Sequence, residues 1–131
     1  MAMRQFLGFD SHKKAIDLLR PGDIAMCTTR SYIRPVHVEY AVSKGIHVFM
    51  EKPCCVDAPG FRTLLAANQQ AREKKLSVVV GLQRRHQRNY LEGIGKIHEG
   101  AIGDVHLVRT YFNMPGGGRA GAERAVVDER R

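Results

Sequence analysis

The chain has 131 residues, which at roughly 150 residues per domain allows one ordinary domain and leaves no room for a two-domain enzyme. With 44% hydrophobic and 26% charged residues and a mean hydropathy of -0.30, its composition is that of a globular chain rather than a disordered one. Lysine and arginine outnumber aspartate and glutamate 21 to 13, a formal charge of +8, but the excess is dispersed. Its one dense stretch, Arg84-Arg85-His86-Gln87-Arg88, has no interleaved aromatic ladder, so a solvated face or a small anionic ligand is expected and no nucleic-acid partner.

No apolar run approaches the ~18 residues of a membrane span, and the first ten residues lack the apolar core of a signal peptide. No membrane partner is expected, and the cytoplasm is the default compartment. Cys27, Cys54 and Cys55 fit no disulfide or zinc spacing, which also suits a reducing compartment, and no metal is expected.

Short apolar runs and amphipathic segments alternate along the chain. Ser11 to Arg20, with an Asp10 or Ser11 cap and a Pro21-Gly22 stop, reads as a helix. Asp23 to Thr28 is a brief apolar run without alternation, the pattern of a strand buried on both faces. Pro35 then suits a first helical turn, Val38, Ala41 and Val42 share a face, and Gly45 offers a left-handed stop. Ile46 to Met50 is a second strand, which completes a unit of βαβ size. Asp57 caps a helix in which Phe61, Leu64, Leu65, Asn68 and Ala71 recur at helical spacing, before a charged end at Glu73-Lys74-Lys75. Ser77 to Leu82 is a third buried strand. A further helix places Tyr90, Ile94 and Ile97 on one face and stops at Gly100, and Asp104 to Phe112 alternates as a half-exposed strand. From Asn113 onward, glycine, alanine and arginine predominate and a tail without fixed structure is expected. The fold class is therefore α/β with a mainly parallel sheet.

In such sheets ligands bind beyond the carboxyl ends of the strands. Glu51-Lys52-Pro53 directly follows the second strand. A lysine there donates to a ligand oxygen or transfers a proton, and the neighbouring glutamate holds the ammonium or accepts from a ribose hydroxyl. On spacing alone, the ordinary reading of the pair is a surface ion pair beside a turn-forming proline. Thr28 and Thr29 end the first strand, and Gln83, Arg84 and Arg85 follow the third; their ordinary alternatives are loop hydrogen bonding and solvated surface. His37 and His86 lie near the same edge as further ligand candidates. Gly116, Gly118 and Gly121 match a lone GxGxxG pattern, with Met114-Pro115 between it and any strand and no room for a following acidic residue.

Gly45-Ile46-His47-Val48-Phe49-Met50-Glu51-Lys52-Pro53, the Asp-capped helix, Val78-Val79-Val80-Gly81-Leu82-Gln83-Arg84-Arg85 and Gly100-Ala101-Ile102-Gly103-Asp104-Val105 together resemble the Gfo/Idh/MocA family, the glucose-fructose oxidoreductase and inositol dehydrogenase relatives. The resemblance covers about residues 8 to 113. It implies a partial Rossmann-like parallel sheet of about three strands with helices, the C-terminal part of a NAD(P)-binding domain over residues 1–83. The first helix and strand of a second α/β domain for substrate and oligomerisation would follow over 84–112, with 113–131 as tail. The implied activity is NAD- or NADP-dependent oxidation of a sugar, cyclitol or related polyol. Lys52 matches the catalytic lysine, and Thr28, Thr29, Glu51, Lys52 and Gln83 match cofactor contacts, Thr29 less closely because the loop from Arg30 to Arg34 is a residue longer than usual. The family's phosphate-binding GxGxxG loop lies before the matched region and its Asp and His proton-transfer residues lie after it. The expectation is therefore an internal portion of such an enzyme, inactive alone. The alternative is a non-catalytic module that self-associates through an exposed sheet edge.

Overall fold

The computed structural model describes residues 4–111. Three strands, β1 (Ile24–Cys27), β2 (His47–Glu51) and β3 (Val78–Gly81), pair in parallel in the order β1-β2-β3. Cys27 lies beside Met50, and Glu51 beside Gly81, so the three carboxyl ends finish nearly level. Helices α1 (Ser11–Ile16), α2 (Arg34–Ser43) and α3 (Ala58–Glu73) precede and connect the strands, and a 3₁₀ turn (Gln83–His86) leads to α4 (Arg88–His98).

Parallel neighbours need a crossover, and two right-handed crossovers in the same direction put both helices on one face of the sheet. There α2 buries Val38, Ala41 and Val42 against Ala25, Cys27, Val48 and Met50, with Ile46, Ala67 and Ala71 completing the core. The inward face of α3 is Leu64, Ala67 and Ala71; Phe61 and Leu65, expected on it, are more than half exposed. Alanines let α3 approach α2 closely, and that approach fixes which stripe turns inward. Asp57 caps α3 as expected, accepting from Gly60 N at 2.7 Å.

The opposite face of the sheet is bare among the described residues. Ile24 is 59%, Met26 63% and Val79 50% exposed, so β1 and β3 are not buried on both faces as their unalternating runs suggested. A strand is buried twice only where helices flank both sides, and the described helices that contact this sheet lie on one.

The end of α1 is a second departure. Regular helix stops at Ile16, and Leu18 N and Leu19 N bond three residues back, to Ala15 O and Ile16 O, tightening the chain toward the Pro21-Gly22 turn. Asp10 occupies the N-cap position without a side-chain cap bond. Contacts to α2 hold this segment: Tyr40 Oη donates to Asp17 at 2.9 Å, Lys44 pairs with Asp17 at 2.7 Å, and the His12 and His37 rings stack at 4.5 Å.

Two helices end alike. In α2, Ile46 N bonds Ala41 O and Gly45 N bonds Val42 O, with Gly45 at φ +77. In α3, Leu76 N bonds Ala71 O and Lys75 N bonds Arg72 O, but the left-handed position is Lys75 at φ +57. Lys74 Nζ meanwhile donates to Val42 O and Ser43 O, covering carbonyls at the end of α2.

By packing, the chain divides into two compact units, Met1–Leu91 and Glu92–Arg131. In the second, α4 closes with Ala101 N on Lys96 O, and residues 104–111 form no strand. A strand exists only as a ladder with a partner, and no described segment pairs with them. Phe112 and the glycine pattern at 116–121 lie outside the described residues.

Two outcomes follow from this packing. Lys75→Gly removes the left-handed cost of a side chain and raises stability in urea unfolding by about 0.5–1 kcal/mol; an unchanged or lower midpoint would contradict the end geometry. Burial pushes His37 below its ordinary value of 6.5, and the nearby His12 and Arg34 charges push it the same way. The unfolded chain then binds more protons between the lowered value and 6.5, so stability holds above that range and falls as pH drops through it. Urea midpoints from pH 8 to 5 should show this loss, and His37→Gln should flatten it; parallel curves for the two proteins would contradict it.

Candidate functional site at the carboxyl ends of the strands

The level ends of the three strands bring the sequence-nominated residues to one edge. Thr28 and Thr29 follow β1, Glu51 is the last residue of β2 with Lys52 next, and Gln83 opens the turn after β3. Adjacent strands are about 4.8 Å apart, so the row spans roughly 10 Å, the width of a small ligand. Thr28, Thr29, Lys52 and Gln83 are exposed and Glu51 is half-buried.

Lys52 sits at the middle of the row. Its backbone N–H donates to the Glu51 carboxylate at 3.3 Å, and the Lys52–Pro53 bond is cis. No described residue pairs with its ammonium, so the surface ion pair with Glu51 is not formed. Glu51 points to the bare face, where Gly81 makes room: a Cβ at Gly81 would stand 3.3 Å from Glu51 Oε1 and 3.0 Å from the Phe49 ring.

The threonine loop is more committed than its sequence suggested. Thr28 N bonds Met26 O at 3.2 Å, so that amide is not free for a ligand. The Thr29 hydroxyl and His37 Nδ1 are 3.1 Å apart, placing His37 beside the loop. Arg84 is also occupied, bonding Tyr90 Oη with its guanidinium 5.1 Å above that ring, whereas Gln83 is exposed.

Arg34 was not nominated, yet it joins these pieces. At 3% exposure it is the buried charged residue of the described core. Its Nη1 donates to Glu51 O and Pro53 O, and its Nη2 to Thr29 O. A signal was available: a cation in the first turn of α2 opposes the helix dipole, so something else must hold it there. Cys27 is near enough to feel this charge, but burial dominates and pushes its thiol up, away from the nucleophilic thiolate. Among the described residues no three His, Cys, Asp or Glu side chains could hold a metal, and no helix is long and apolar enough to cross a membrane.

A cavity of about 460 Å³ opens beside β1, bordered by His12, Ile24, Met26, Thr29 and His37. Thr29 borders it, but Glu51, Lys52 and Gln83 do not. The candidate site is thus the open strand-end row, an exposed lysine beside hydroxyl and amide groups.

No protein-family profile matches the chain. It is 32% identical over 118 residues to the inositol 2-dehydrogenase of Gluconacetobacter diazotrophicus, matching 87% of its own length and 34% of that protein's. In structure it is similar to the myo-inositol 2-dehydrogenase of Lactobacillus plantarum, with TM-score 0.66 and 21% identity over 76% of this chain and 28% of that one. It is also similar to a 3-ketoreductase of Actinomadura kijaniata solved with NADP, with TM-score 0.53 and 26% identity over 63% of this chain and 25% of that one. The chain spans about a third of the curated relative it matches. The parallel half-sheet shares the Rossmann-like fold of these neighbours, and with the Glu51-Lys52-Pro53 turn at its edge these likenesses support the Gfo/Idh/MocA-type resemblance read in the sequence.

Proposed function

We propose that this chain carries part of the active site of a NAD(P)-dependent oxidoreductase that acts on a sugar, cyclitol or related polyol. The observation that carries this reading is the Lys52 side-chain nitrogen, unpartnered among the described residues just past the end of the central strand, with hydroxyl and amide groups on either side. The bound cofactor, NAD or NADP, supplies the carrier for the hydride. The residues present fit its nicotinamide end: Thr28, Thr29 and Gln83 offer exposed polar groups, and Glu51 lies beside Lys52 over the space that Gly81 leaves open.

In the oxidation direction the substrate hydroxyl donates its hydrogen bond to Lys52 Nζ in the neutral amine form, and the proton moves to that nitrogen, making it the ammonium, as the carbon loses hydride. In reduction Nζ returns it. Such proton transfer contributes about 10²–10⁴ in rate. One edge of a site is not a full set of contacts, and we read the 131 residues alone as insufficient for turnover. The compartment we propose is the cytoplasm.

The test is a chimaera in which this chain's matched region replaces the corresponding third of the Gluconacetobacter inositol 2-dehydrogenase. The chimaera should oxidise inositol, and Lys52→Ala within it should lower kcat by about 10²–10⁴-fold with cofactor affinity changed far less. Equal kcat with and without Lys52→Ala would refute the assignment.

The bare face favours a second reading for the isolated chain. Among the described residues β1 has a neighbour on one side only, and its Ile24 and Met26 lie exposed beside that free edge. Such an edge is a template for pairing, here with another copy. Sedimentation velocity across a hundredfold concentration range should show association that Met26→Lys reduces, whereas a monomer throughout would exclude this reading.

A further inference from the structure

Arg34 is a buried cation without a carboxylate partner. The ion pairs given by the described residues are Lys13 with Asp10 and Lys44 with Asp17, both on the surface. Three carbonyl oxygens compensate its charge, those of Thr29, Glu51 and Pro53, and its Nε is buried with no partner. Burying a cation is costly, and a hydrophobic side chain of similar volume commonly serves stability as well or better. What an apolar side chain lacks is a rigid plane of five donors that can hold several acceptors in fixed relation.

The positions of those acceptors are informative. Glu51 O and Pro53 O stand on either side of Lys52, and one nitrogen of Arg34 holds both. The other terminal nitrogen holds Thr29 O, in the loop after the neighbouring strand. One planar group therefore ties the backbone bracketing Lys52 to the threonine loop. The plane is itself anchored, because Arg34 begins α2 and the next residue, Pro35, is buried. Glu51 O is the last carbonyl of β2, whereas Thr29 O and Pro53 O belong to turn segments in which Thr29, Lys52 and Pro53 are exposed, so little else fixes the course of those two.

We propose that Arg34 is the positioning residue of the site: it touches no ligand, and by clamping the carbonyls of residues 51 and 53 to that of residue 29 it sets the place from which Lys52 reaches substrate. The proposal rests on the reading of Lys52 given above and identifies what aims it. Loss of the clamp should free the Lys52 segment while leaving the sheet intact.

The test uses the full chain with Arg34→Met, followed by ¹⁵N relaxation. Order parameters at Lys52, Cys54 and Cys55 should fall from the rigid value near 0.85 to below about 0.6, while those at Val48 and Met50 stay high. In Arg34→Ala, added methylguanidinium should restore rigidity at Lys52 and methylammonium should not, a distinction that simple filling of space does not produce. If Arg34→Met does not fold, Arg34→Lys carries the same comparison, since one ammonium cannot reproduce the planar span. Unchanged rigidity at Lys52, or equal loosening at Val48 and Met50, would overturn the proposal. These readouts use no turnover, so a chimaera indifferent to Lys52→Ala would refute the proposed function without bearing on the clamp.

Discussion

Parallel pairing of three consecutive strands constrains the rest of this molecule. Each parallel step requires the chain to travel back along the sheet before the next strand begins, and two such returns in the same direction put α2 and α3 on one face. The core of the described residues therefore forms on that face, between Val38, Ala41 and Val42 on the helix and Ala25, Val48 and Met50 on the sheet. The same constraint makes all three strands run out at one edge. Polar groups as far apart in sequence as Thr28, Lys52 and Gln83 meet there because Cys27, Glu51 and Gly81 end neighbouring strands nearly in step.

Bringing strand ends together does not by itself make a working edge, because the segments beyond the last ladder bond are free to diverge. Here side chains restrain them. Arg34 reaches from α2 to the last carbonyl of β2 and to one carbonyl on each of two turns, and His37, one helical turn further on, meets the Thr29 hydroxyl. Thus the helix that closes the core also organises the edge, and the core and the site share the first turns of α2. Glycine at 81 completes the arrangement by leaving the Glu51 carboxylate and the Phe49 ring space that a side chain would contest.

Much of this was legible in the sequence, for identifiable reasons. The apolar runs near 24, 46 and 77 became strands, the Asp57 cap holds its helix, and the Glu51-Lys52-Pro53 turn lies at the strand end where its position pointed. What was not legible depends on contacts between segments. Whether Ile24, Met26 and Val79 are covered is decided by which side the helices occupy, not by their own hydrophobicity. Which stripe of α3 turns inward was set by the close fit of Ala67 and Ala71, against the pull of larger Phe61 and Leu65. The strand expected from Asp104 has no described partner, and alternation alone does not supply one. Arg34 looked like one more surface cation in a chain rich in them, and its unfavourable place at a helix start was the clue to a buried role.

The central claim is that the carboxyl edge of the sheet is the cofactor and substrate edge of an oxidoreductase site. Titrating the ¹⁵N-labelled chain with NADH and with NADPH, and following amide shifts, tests it most directly. The account predicts weak binding whose shifts cluster at Thr28, Thr29, Glu51, Lys52 and Gln83 and lose their Lys52-centred part in Lys52→Met. Shifts confined to the arginine-rich turn at 84–88, or no shifts at the strand ends at millimolar cofactor, would contradict it.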